Sequence, residues 1–169
     1  MRTSSMRTLI PGLLLSALAL LCSSAGLAAT ANVNVVPSNT TPSVGDSFSV
    51  TVSGAGFPET GGATLGLSFD STVVKVTGVV PVAGSPFPNL VVAAPWNRIT
   101  LIGPLGGKQP SGAFAAFRIY FTAIGRGKAS ITLVDAGNTE TGWLNASGEP
   151  LVPKPTYRQT SVIVIEHFK

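Results

Sequence analysis

Reactive side chains are nearly missing from this sequence. Its 169 residues hold one cysteine, Cys22, and one histidine, His167. A Ser–His–Asp device needs a rigidly held imidazole, and His167 stands at the C-terminal end of the chain, where chains fray. No His-x-x-x-His or cysteine pair offers a zinc pattern. Charge is also scarce, at 11% Asp, Glu, Lys and Arg. The basic residues are scattered, so no stripe or patch suits a nucleic-acid backbone. Acid–base work on glycosides needs two placed carboxylates. Of the acids present, Asp46 and Asp70 read as turn residues that accept local backbone N–H groups, and Glu166 falls in a terminal strand. These absences argue against an enzyme.

Cofactor signals are lacking too. No D-x-D-x-D-G calcium loop occurs; Asp135, Asn138 and Glu140 lie close together and read as ordinary loop residues. "GPLGGKQPSG" is glycine-rich, but its spacing fits neither a P-loop nor a dinucleotide fingerprint, and no helix pattern follows. It reads as a connection. Neither a metal nor a cofactor is expected.

A basic lead with Arg2 and Arg7 opens the chain, an apolar run Leu9–Leu21 follows, and small residues close the segment. This is the three-part layout of a secretory signal peptide. The run is shorter than the roughly 20 residues a spanning helix needs. The small-x-small rule places the cut after Ala31, with Ala29 as the alternative. Residues 1–31 are therefore expected to be a removable leader and 32–169 a single domain, secreted to the periplasm or beyond. Cys22 leaves with the leader. Nine cations then face seven anions, a net charge of +2. No later segment is apolar for long enough to span a membrane.

Helix signals are almost absent from residues 32–169. Glycine and proline punctuate the chain, and β-branched residues fill the gaps. "SVGDSFSVTVSG" alternates strictly, with Phe48, Val50 and Val52 against Ser47, Ser49, Thr51 and Ser53, as a half-buried strand does. Further strands are expected at 32–36, 63–69, 73–80, 89–94, 98–102, 113–123, 128–134 and 161–166. About nine short strands with turns between them predict an all-β, two-sheet β-sandwich of jelly-roll, immunoglobulin-like topology. The first and last strands are apolar enough to lie within the sheets. Residues 136–160, with Pro150, Pro153 and Pro155, read as a long loop carrying a short hairpin.

Four pieces occur in an order that resembles the cohesin domain family. "VGDSFSVTV" is similar to that family's opening strand with its V-G-D turn. "LGLSFDSTVVKVTGVV" resembles its strand, aromatic-Asp corner and following strand, with Phe69-Asp70 as the corner. "SGAFAAFRIYFTAIGRGKASITL" resembles the late strand, glycine turn and G-x-x-x-I-x-L strand, and "SVIVIE" the closing strand. The resemblance implies a nine-stranded jelly roll that is non-catalytic and recognises a protein partner of the dockerin type. A strand position where relatives often carry Asp falls at Thr64. The recognition face is accordingly placed near Thr64, Ser68, Trp96, Asn97 and Arg98.

Aromatic side chains support a second reading, a carbohydrate-binding module. A pyranose ring stacks its C–H face on a flat aromatic, and Trp96, Trp143 and Tyr120 are the candidates. The same tryptophans could instead plug the ends of the sandwich. A third reading is a structural surface or matrix subunit assembled through strand or sheet contacts.

Overall fold

The computed structural model describes residues 30–93, 95–105, 108–136 and 142–166. The expected leader, apart from its last two residues, lies outside this range, as do Asn138, Glu140 and His167. Among the described residues there are eleven strands and no helix. They are β1 (Asn32–Pro37), β2 (Ser47–Phe57), β3 (Thr60–Ser68), β4 (Val74–Pro81), β5 (Asn89–Ala93) and β6 (Arg98–Ile102), then β7 (Gly112–Ala123), β8 (Gly127–Asp135), β9 (Trp143–Asn145), β10 (Thr156–Arg158) and β11 (Thr160–Val164).

The strands form two facing sheets. One has the order β10-β1-β2-β7-β4; the other runs β11-β8-β3-β6-β5, with β9 also paired to β3. Alternation explains the core. Phe48, Val50 and Val52 of β2, Phe117, Ile119 and Phe121 of β7, Leu65 and Leu67 of β3, and Ala129, Ile131 and Leu133 of β8 are all buried. Each strand turns every second side chain into the space between the layers. Aromatic rings close both ends of this core. Phe48, Phe69 and Phe121 pack at one end, with Phe48 stacked on Phe121 at 5.3 Å. Phe57, Phe87, Phe114 and Trp143 pack at the other.

The turn residues do what their chemistry suggests. An Asp46 carboxylate oxygen accepts the Ser43 N–H at 2.9 Å. Asp70 accepts both the backbone N–H of Thr72, at 2.9 Å, and its hydroxyl, at 2.6 Å. These bonds hold the Asp70 carboxyl below its usual value, the Thr72 hydroxyl contributing most.

Two expectations need correction. The sandwich has eleven strands rather than nine, because β9 and β10 lie in the stretch read as a loop. A three-residue strand is too short to show alternation, and prolines around both obscure it. The expected hairpin is present: Asn145 N–H donates to Glu149 O, and Leu151 N–H to Trp143 O, both at 2.8 Å. Second, the closing strand is an edge strand. Val162 and Val164 are buried, but Ile163 is 53% exposed. The outer edge of β11 is sealed by segment 40–44: Ile163 N–H donates to Thr40 O at 2.9 Å, and Val44 N–H to Ile165 O at 3.0 Å.

Candidate recognition face

The outward side of the six-stranded sheet is built from small residues. On β3 it presents Thr64, Gly66 and Ser68, because Ala63, Leu65 and Leu67 fill the alternate, inward positions; Gly62, next in the outward row, is covered. Register sets their neighbours. Thr64 lies opposite Thr100 of β6, Gly66 opposite both Arg98 and Val134, and Ser68 opposite Thr132. Outward positions on β3, β5, β6 and β8 carry only two charges, Arg98 and Lys128. Gly62 has a packing reason: a Cβ there would come within 2.5 Å of the Leu101 carbonyl oxygen. The result is a surface of small side chains, many of them hydroxyls, with exposed apolar spots at Val91, Ile102 and Val134.

The two strands on the other flank of β3 hold Thr64 in place. β8 and β9 pair with the same side of β3, one after the other. Between them Ala136 N–H donates to Thr64 O at 3.1 Å, and Thr64 N–H donates to Gly142 O at 3.2 Å. The Gln159 carboxamide extends the ladder: it accepts the Leu133 N–H at 3.0 Å and donates to Leu133 O at 2.8 Å.

The sequence-based recognition residues divide. Thr64, Ser68 and Arg98 share the outer face. Asn97 lies at its rim, where its carbonyl accepts the Leu67 N–H at 3.0 Å. Trp96 leaves the face. It has φ of 77°, a left-handed conformation that is an outlier for a bulky residue. Its N–H closes the β5–β6 turn on Ala93 O at 2.9 Å. The indole lines a cleft of about 210 Å³ with Phe69, Val74, Val76 and Ile124.

The three aromatic candidates for sugar stacking do not form one platform. Trp143 is corrected outright. It is 2% exposed and packs against Phe57 at 4.6 Å, so neither ring face is open to a ligand. Its neighbours on β3 turn the side chain inward, beside Ala63. Tyr120 is 38% exposed but stands on the opposite sheet, across from Ser49 and Gly78. Trp96, 37% exposed, belongs to the cleft. Thr100 and Val91 were not singled out from sequence, because only strand register brings them beside Thr64. The outer faces of β5 and β6 carry no chemical signature of their own.

Among the described residues no group of three or more His, Cys, Asp or Glu is gathered as a metal site would require, and no helix is long and apolar enough to cross a membrane. Asp135 is engaged instead by Tyr157, whose hydroxyl donates to its carboxylate. Burial, then that hydrogen bond and the Asp135 charge, push the Tyr157 phenol far above its usual range.

Comparison with known proteins places this architecture. No family model matches the chain, and a search of curated proteins finds no match. Solved structures do match. The CaDoc0917–CaCohA2 complex aligns with a TM-score of 0.65 at 14% identity, over 80% of this chain and 100% of that one. A non-cellulosomal cohesin from the archaeon Archaeoglobus fulgidus gives 0.62 at 19% identity, over 82% and 93%. A type I cohesin–dockerin complex from Clostridium thermocellum gives 0.61 at 15% identity, over 82% and 95%. The fold is the cohesin β-sandwich.

Proposed function

We propose that this protein is a secreted, non-catalytic recognition module that binds a protein partner of the dockerin type through the outer face of β8-β3-β6-β5. One observation carries the reading: on a cohesin fold, that face is built of small side chains and is nearly free of charge around Thr64 and Thr100. Such a surface docks a partner without stripping water from many ions, a large cost in association. Structures of this fold in complex with dockerins support the partner class. The proposal extends to a role beside polysaccharide-processing proteins.

Export rests on the leader pattern of the first 31 residues. The structure bears on where a peptidase would cut. Ala31 is 4% exposed, and its carbonyl accepts the Thr156 N–H at 2.9 Å. A cut after Ala29 keeps this contact and is the one we favour.

Calorimetric titration with calcium-loaded dockerin modules tests the proposal, using the wild-type domain and Thr64→Arg. Saturable binding that the substitution weakens at least about tenfold, or about 1.4 kcal/mol, supports it. Retardation in a soluble polysaccharide gel without dockerin binding would move the reading to a glycan-binding module.

A further inference from the structure

Among the described residues four strands form the edges of the two sheets, and three of them are protected. β11 is sealed along its outer side by hydrogen bonds to segment 40–44. β4 carries a bulge between Val76 and Gly78, an outward Lys75 and a terminal Pro81. β10 is three residues long and carries Arg158. Bulges, lysines, prolines and short length are the usual devices against edge pairing.

β5 is different. "NLVVA" contains no charge, no proline and no bulge, and it pairs with β6 residue for residue from Asn89–Ile102 to Ala93–Arg98. Among the described residues, no backbone or side-chain hydrogen bond reaches β5 from beyond its open side. On an edge strand every second residue turns its N–H and C=O outward. The core-facing residues show the missing neighbour as well. Ile99 and Leu101 of β6, facing the same core, are buried to 2% exposure or less. Leu90 and Val92 of β5 are only partly covered.

We propose that β5 pairs antiparallel with β5 of a second copy, about a two-fold axis at Val91. This goes beyond the dockerin reading and does not depend on it. The strand is self-complementary in that arrangement, as a two-fold contact requires. Val91 meets Val91 of the second copy, Leu90 meets Val92, and Asn89 meets Ala93. The half-covered Leu90 and Val92 then shield one another, and Val91, 56% exposed, is covered on the outer face. No charge is buried and no like charges meet: Arg98 lies in the row of Ala93, which continues to Asn89 of the second copy. Ala93 is small enough for Arg98 to reach over it toward that amide. Pro88 and Pro95 flank the strand and limit the length that can pair, because proline cannot donate to the ladder. The outer faces of both copies become one continuous surface. Five residues bury little area, so the contact belongs with weak, concentration-dependent interfaces, under about 1,200 Å².

Sedimentation equilibrium from about 10 µM to about 1 mM, where weak pairs form, tests this with the wild type and Val91→Lys. Mass rising toward twice the monomer in the wild type and staying at the monomer in V91K supports the pairing. A wild type that remains monomeric throughout, or a V91K protein that dimerises equally, overturns it. Crosslinking gives a second readout in a C22S background. Paired strands bring opposed Cα atoms to about 4.5–5.5 Å, within disulfide reach. Val91→Cys should oxidise to a disulfide dimer at least about tenfold faster than Val36→Cys, which is equally exposed at 56% on the other sheet. Equal rates contradict the proposal.

Discussion

The Tyr157 hydroxyl donates a hydrogen bond to the Asp135 carboxylate, and so β10 of one sheet is tied to β8 of the other. The two residues are 22 positions apart, on either side of the β9 hairpin. Tyr157→Phe removes the donor and leaves a partly buried carboxylate without its partner. Loss of about 1–2 kcal/mol is expected from such a bond, read as a lower thermal midpoint. Alkali should expose the same link. The phenol is held above its ordinary value of 10.0 in the folded state, so the unfolded chain ionises first. Stability is then full below pH 10 and falls above it, by about 1.4 kcal/mol per pH unit while only the unfolded phenol titrates. The Phe variant should lose less stability over that alkaline range.

Acid acts through Asp70 in the opposite sense. Its folded pKa lies below the ordinary 3.8, because the Thr72 hydroxyl and N–H bind the ionised form. The unfolded chain takes up the proton first, so this stabilisation is present above pH 3.8 and fades as pH falls through the folded value. Thermal midpoints of Asp70→Ala should sit below wild type at neutral pH, and the gap should close in acid. A gap that stays constant with pH would rule out the carboxylate as its source.

The two tryptophans should be separable by fluorescence. Trp143 is buried among Phe57, Phe87 and Phe114, whereas Trp96 is at the surface. Trp96→Phe should leave a blue-shifted emission that iodide scarcely quenches, with stability within about 1 kcal/mol of wild type. Trp143→Ala should cost about 3–5 kcal/mol.

Strand alternation makes the core legible in the sequence. Phe117, Ile119 and Phe121, or Ala129, Ile131 and Leu133, declare their inward side through period-2 spacing, and all are buried. What alternation cannot convey is which strands become neighbours. Thr64 and Thr100 are distant in sequence and meet only through the β3–β6 register. Trp96 and Trp143 both sit in turn-rich stretches and look equivalent on paper. One is drawn inward beside Ala63 by pairing with β3, while a left-handed turn directs the other to a surface cleft. β9 and β10 leave no signal in the sequence, because three residues cannot establish a period. Partner chemistry is the least legible level, since a face of Gly, Ser and Thr names no ligand by itself.

Amide hydrogen exchange of the domain with and without a bound dockerin tests the central claim most directly. The account predicts slowed exchange centred on β3 and β6, at Thr64, Ser68, Arg98 and Thr100, with little change around Ser49, Thr51 and Tyr120 of the opposite sheet. Protection confined to the Ser49–Tyr120 side, or protection nowhere at saturating partner, would contradict it.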